Sequence, residues 1–348
     1  MSKWIFLVWL NILFHIVCAA DLFSQERQSK GIRLMFYNVE NLFDISDDSV
    51  KNDEDFLPGG VMRWNYSRYI RKLNSLYKTI ASAGNWNMPE IIAMCEVENR
   101  KVLQDLLFKT YMSEHNYSII HEESPDQRGI DVCLIYRKDV VELLNYRYLI
   151  PSGIKVEDYH TRSVLYARLK VFSDTLNLFV NHWPSRRGGA LAGEGMRKTI
   201  AKMVREACDT ISGSINGNIR ILICGDFNST PDDNEIKTLL NSSGSGSSLI
   251  NLSEYPAELG EGSYRYKGTW EMIDQIIVSE AFLNSGSGLY TSTDYLKIFR
   301  PDFLLENDPV YPGVIPFSTY RGYRYHGGFS DHLPVIIDIF TNDPYQQE

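Results

Sequence analysis

The chain has 348 residues, 44% of them hydrophobic and 23% charged, which is ample for a large buried core and excludes a disordered or fibrous protein. The formal net charge is −9, which argues against a nucleic-acid coat protein with a broadly basic face, though not against an enzyme with a local cationic cleft or a bound metal. No Ser/Pro/Gly linker is long enough to separate independent cores, so one large domain is expected.

Lys3 precedes an apolar run from Trp4 that ends at Cys18-Ala19-Ala20. A basic start, an apolar centre and small residues before Asp21 read as a secretory signal peptide over residues 1–20. The run is short for a membrane span and is interrupted by Asn11 and His15. Val17 is large for the position before a lipidated cysteine. Cleavage would remove Lys3 and no carboxylate, leaving 34 basic against 44 acidic residues, or −10. The expected location is therefore the periplasm or the extracellular space, with no stable membrane span left. Cys95, Cys133, Cys208 and Cys224 remain, and their apolar surroundings predict buried thiols.

The first apolar run, 32–37 (IRLMFY), ends at Asn38. A helix is predicted next, with Tyr66, Tyr69, Ile70, Leu73, Tyr77 and Ile80 on its buried face and Arg68, Arg71, Lys72 and Lys78 pointing away; Gly84 is placed to stop it. A second run, 90–95 (EIIAMC), leads directly to Glu96. Glu98 opens a helix-like segment, so Glu96, at the strand end, is the better ligand candidate. Arg128-Gly129-Ile130-Asp131 introduces a strand at Val132–Tyr136. Runs at 164–172 and 175–181 predict a hairpin turning near Ser173-Asp174, with Arg162 before it and Asn181-His182-Trp183-Pro184-Ser185-Arg186-Arg187-Gly188-Gly189 after it. Paired guanidinium groups beside paired glycines suit phosphate oxygens, and Arg186 is the candidate.

A long amphipathic helix over about 195–212 precedes the stretch Ile221–Cys224, Gly225-Asp226-Phe227-Asn228, a buried strand that ends in a carboxylate and a carboxamide two residues apart. Pro231-Asp232-Asp233 starts a short helix, and 242–248 is flexible loop material. In the strand 272–279, Asp274 interrupts apolar neighbours and needs a cation or hydrogen-bond donor. Residues 299–330 are expected to be a long aromatic-rich loop, with Tyr320, Tyr323, Tyr325 and Trp183 as possible stacking surfaces for bases. It delivers Ser330-Asp331-His332 into a final strand, Leu333–Phe340.

Taken in order, these strand-end groups resemble the endonuclease/exonuclease/phosphatase superfamily, and GDFN followed by SDHLPV is a specific combination. YNVENLF, RGIDVCLIY, NHWPSRRGG and WEMIDQIIVS look closest to exported bacterial nuclease-like members. The resemblance implies an α/β (α+β) four-layer sandwich over residues 31–341, two packed mixed β-sheets flanked by helices. It implies that Asn38 and Glu96 hold Mg²⁺ (Mn²⁺ or Ca²⁺ being possible), with Asp331 contributing directly or through water. His332, oriented by Asp274, would face the scissile phosphate. Asp226 would orient or deprotonate water, Asn228 would hold a phosphate oxygen or help fix the nucleophile, and His182 would be a second catalytic histidine. Arg162 matches a site arginine, and Arg128 is a further candidate. The base stays open between Asp226 and the His332–Asp274 pair. In the family a Gln usually precedes the metal-binding Glu; here Cys95 stands there. The implied activity is metal-dependent hydrolysis of nucleic-acid phosphodiesters. The alternatives are lipid-headgroup or inositol phosphates as substrate, and a catalytically silent binding module.

Overall fold

Alternation along the strands sorts the apolar residues into layers. The computed structural model describes residues 31–85, 87–151, 160–186, 193–214, 218–241, 247–286 and 288–342. The segment 1–20, Arg187 with its two following glycines, and 242–246 lie outside the described residues.

The chain begins with β1 (Gly31–Leu42), α1 (Tyr66–Ala83), β2 (Ile91–Val97), α2 (Arg100–Phe108), β3 (Tyr117–Ile120) and β4 (Asp131–Arg137). It continues through β5 (Val141–Leu149), β6 (Val164–Val171), β7 (Asp174–His182), α3 (Glu194–Ser214), β8 (Arg220–Asp226), α4 (Asn234–Leu240) and β9 (Leu249–Asn251). After α5 (Glu254–Glu258) come β10 (Tyr264–Tyr266), β11 (Thr269–Glu271), β12 (Asp274–Ser279), β13 (Leu289–Tyr290) and β14 (Leu296–Ile298). The last strands are β15 (Leu305–Asn307), β16 (Val314–Pro316), β17 (Tyr320–Arg321), β18 (Arg324–Tyr325) and β19 (Val335–Thr341).

One sheet runs β13-β19-β1-β2-β4-β3, with β14 also on β19, and the other runs β5-β6-β7-β8-β12-β9. Both are mixed, since β1 is parallel to β2 and β7 to β8 among antiparallel pairs. Leu34 and Phe36 of β1 pack in one cluster with Leu222 and Cys224 of β8. Their neighbours Met35 and Tyr37 pack with Leu73, Leu76 and Ile80 of α1. Ile221 and Ile223 pack with Ile200 and Val204 of α3. Period-two strands between period-3.6 helices therefore give the layers helix, sheet, sheet, helix. This is the four-layer sandwich implied by the resemblance. Burying side chains of this size contributes about 1.5–3 kcal/mol each.

α1 starts where Asn65 accepts the Arg68 amide and ends at Gly84, as expected. Two of its residues need correction. Tyr66 is 58% exposed, whereas Lys72 is buried at 1% exposure instead of pointing away. The segment 299–330 is a structured insertion of two hairpins, β15–β16 and β17–β18, and not an open loop. Trp183 and Tyr320 are buried, so neither is a stacking platform; Tyr323, 76% exposed, remains available. All four described cysteines are free and buried.

Candidate active site

The candidate residues meet because strand register lines them up. In the second sheet His182 of β7 stands opposite Asp226 of β8, and Asp226 stands opposite Asp274 of β12. Three chemically active side chains thus form one transverse row at the rim. Gly225 lets β8 approach so closely: a Cβ there would lie 2.6 Å from Asn181 Cβ and collide with the Asn181 carbonyl. Gly225→Ala is therefore expected to cost about 1–3 kcal/mol and to displace Asp226. Urea unfolding together with kcat checks this; unchanged stability with full activity would contradict it.

The first sheet contributes Asn38 and Glu96. Asn38 Nδ2 donates to Asp226 Oδ2 at 3.0 Å, and its Oδ1 accepts the Glu40 amide. Glu96 sits where the β2–β4 register shifts, with a left-handed φ of 62°. A bulge re-aims a side chain at a sheet edge, and a non-glycine residue in this region stores strain that the surrounding fold must hold. Its Oε2 accepts the Asn41 amide at 2.9 Å, while Oε1 lies 3.9 Å from His182 Nε2. Glu40, Asn41 and Asn228 also have positive φ.

His332 is held on several sides. Its Nδ1 lies 2.6 Å from Asp274 Oδ2, and Ser263 donates to that same oxygen. The Tyr264 ring lies against the imidazole, centroids 4.8 Å apart. Ser330 Oγ accepts the His332 amide and donates to the Asn38 carbonyl, tying the approach of β19 to β1. His332 Nε2 is 3.9 Å and His182 Nε2 3.7 Å from Asp226 Oδ2, so Asp226 stands between the two imidazoles.

Burial alone would lower the His332 pKa, but the charge and hydrogen bond of Asp274, with Asp331 and Asp226, hold it well above the usual value. His182 goes the other way, well below, through burial and then the charges of Arg162, Arg128 and His332. Burial and then the Asp274 charge push Asp226 up to about 7. Burial and the neighbouring carboxylate Glu96 raise Asp331 against the opposing His332 and Lys72 charges. The pKa values of two imidazoles in one site are thus driven in opposite directions, an arrangement suited to separate acid–base roles.

Four side chains that the sequence reading did not place in the site belong here. Lys72 Nζ donates to Thr319 Oγ1 at 2.6 Å and to the Phe329 carbonyl at 2.5 Å. Burial lowers its pKa to about 8 against the pull of Glu40, Asp331 and Glu96. Glu40, pushed up to about 7 by burial and then Asp331, accepts the Thr319 and Tyr320 amides. Ser263 and Tyr264 complete the set; nothing in their local sequence marks them.

The arginines are differently placed. Arg128 is exposed and donates to Asn41 Oδ1 at 2.7 Å, next to the Glu96 bulge. Arg162 is buried between Asp126, at 3.2 Å, and the Trp183 carbonyl, at 2.8 Å. Arg186 binds the Asn228 carbonyl and pairs with Asp233. Asn228 Nδ2 itself donates to the Trp183 carbonyl, so Arg162, Arg186 and Asn228 all brace the two loops that follow β7 and β8.

A divalent cation fits this donor set. Asn38, Glu96 and Asp331 offer hard oxygen atoms, and the carboxylates Glu40, Glu96 and Asp331 outnumber the buried amine of Lys72.

The model of the endonuclease/exonuclease/phosphatase family matches residues 33–341. The chain belongs to this family. Its members are metal-dependent phosphoester hydrolases. Nocturnin of Drosophila melanogaster is 24% identical over 257 residues, 70% of this chain and 34% of the relative, so the chain spans about a third of that protein. Among solved structures, a mannosyl-6-phosphatase of Bacteroides thetaiotaomicron matches with a TM-score of 0.55, 16% identity, and 88% and 99% of the two chains covered. TDP2 of D. rerio complexed with single-strand DNA product matches at 0.52 and 14% identity, covering 90% and 100%. At these identities the likeness is one of fold, and it is the family's sandwich that the two chains share with this one.

Proposed function

We propose that the chain cleaves phosphodiester bonds of nucleic acid by in-line attack of water, with a divalent cation, Mg²⁺ by preference, held by Asn38, Glu96 and Asp331. The observation that carries this reading is the position of Asp226 Oδ2, within 4 Å of both His182 and His332 Nε2. A bound cation would neutralise charge on the phosphoryl oxygens. Asp226 aligns the water and takes its proton. His332, paired with Asp274, donates to the phosphoryl group as negative charge develops there, the principal task in phosphoryl transfer. His182 contacts phosphate from the opposite side of Asp226. Arg128 and the exposed Tyr323 supply a cationic and an aromatic contact beyond the reacting group. Export through the segment 1–20 belongs to the same reading.

A second reading is favoured by the burial of Trp183 and Tyr320. With two of the four stacking surfaces gone, a small phosphomonoester such as a sugar phosphate becomes the competing substrate, the class named for the mannosyl-6-phosphatase. Purified protein is assayed with Mg²⁺ on single- and double-stranded DNA, RNA, sphingomyelin, bis-p-nitrophenyl phosphate and sugar phosphates. Nucleotide release, abolished by EDTA and restored by Mg²⁺, is the expected result. Turnover of sugar phosphates alone moves the assignment to the second reading, and no turnover of any substrate rules out both.

A further inference from the structure

Away from the residues above, His121, Glu123 and Asp131 bring one donor atom each to within 4.8 Å of one another. His121 and Glu123 lie two residues apart just beyond β3, and Asp131 opens β4, the strand paired with β3. The His121 and Asp131 side chains are 2% and 1% exposed, with Nε2 and Oδ2 3.3 Å apart. Despite this distance the approach is not aligned as a hydrogen bond, and both atoms are buried without a partner. Two such groups left unsatisfied cost about 1–3 kcal/mol each. A third atom between them removes the cost. Donors bound at about 2.0–2.1 Å around a tetrahedral cation stand about 3.3 Å from each other, which is the spacing found. Glu123, with its side chain 51% exposed, supplies a third donor and an opening to solvent. Lys51 does not take its place: Nζ is 4.0 Å from Glu123 Oε2 and donates to the Ser124 and Asp126 carbonyls instead.

We infer that His121, Glu123 and Asp131 bind a divalent cation of the zinc class through one imidazole nitrogen and two carboxylate oxygens, with water completing the shell. The ion clips the end of β3 to the start of β4. It thereby closes the base of the 121–131 loop, which carries Asp126, the partner of Arg162, and Arg128, the rim arginine. This is a positioning site; it touches no substrate.

The test uses the full chain, stripped with chelator, dialysed and titrated with Co²⁺ as a visible substitute for zinc, and with Zn²⁺ by calorimetry. Glu96→Gln serves as parent, so that the cleft does not obscure the result. This parent is expected to bind one Co²⁺ with a tetrahedral visible band. Adding Glu123→Gln, at a half-exposed position that the fold tolerates, weakens that binding at least tenfold. Adding His121→Gln removes the band. The inference is overturned if the parent binds no Co²⁺, or if Glu123→Gln leaves both affinity and spectrum unchanged.

Discussion

His332→Ala is expected to lower kcat by about a thousandfold or more, with KM changed little. The imidazole is the one side chain in the site tied to a buried carboxylate at 2.6 Å while its other nitrogen stands 3.9 Å from Asp226. Its contribution falls in the transition state, where charge builds on the phosphoryl oxygens, so the loss belongs in kcat. Ser263 still donates to Asp274 in the variant, which leaves that carboxylate one partner and lets the fold persist. Circular dichroism and thermal melting are measured beside the kinetics, with His332→Gln as a polar control. Asp274→Asn keeps the shape and removes the orienting charge, and is expected to cost about a hundredfold. A folded His332→Ala protein retaining more than a tenth of kcat would eliminate the proposed role.

Lys72→Met is expected to destabilise the protein by about 3–5 kcal/mol, the usual consequence of removing one partner from a buried charged group. The amine is 1% exposed and faces Glu40, which is itself buried. The two are joined through Thr319, which accepts from Lys72 with its hydroxyl and donates to Glu40 with its amide. Without the amine, buried Glu40 loses its counter-charge, and Asp331 beside it is left with His332 alone as an opposing charge. Urea unfolding measures the loss, and Lys72→Met combined with Glu40→Gln should recover part of it because the two positions are coupled. Since Thr319 and Phe329 lie on the approach to Asp331-His332, kcat falls as well. A loss below about 1 kcal/mol, with no recovery in the double variant, would show that the pair contributes little.

The elements that sequence patterning located are those with a strong local signal. The runs ending at Asn38, Glu96 and Asp226 form β1, β2 and β8, because an apolar run closed by polar turn formers is a local property. β5 escaped notice because it is an edge strand whose centre, Glu142 to Arg147, is mostly exposed and so carries no apolar run. β3, at four residues, is too short for its alternation to stand out. The insertion 299–330 read as a loop because its strands are two or three residues long. In α1, helical spacing placed Lys72 on the polar side, yet the β17–β18 segment, some 250 residues further along, folds over it.

From residue order alone came the identities of the chemical groups and their station at strand ends, since both depend on neighbours a few positions away. Tertiary structure alone decided that His182, Asp226 and Asp274 share one row, that a bulge turns Glu96 toward them, and that Ser263 and Tyr264 secure His332. Those outcomes depend on pairing register and on contacts across tens to hundreds of residues. A one-residue slip in either sheet would turn each side chain to the opposite face, and short-range patterning carries no record of register between distant strands.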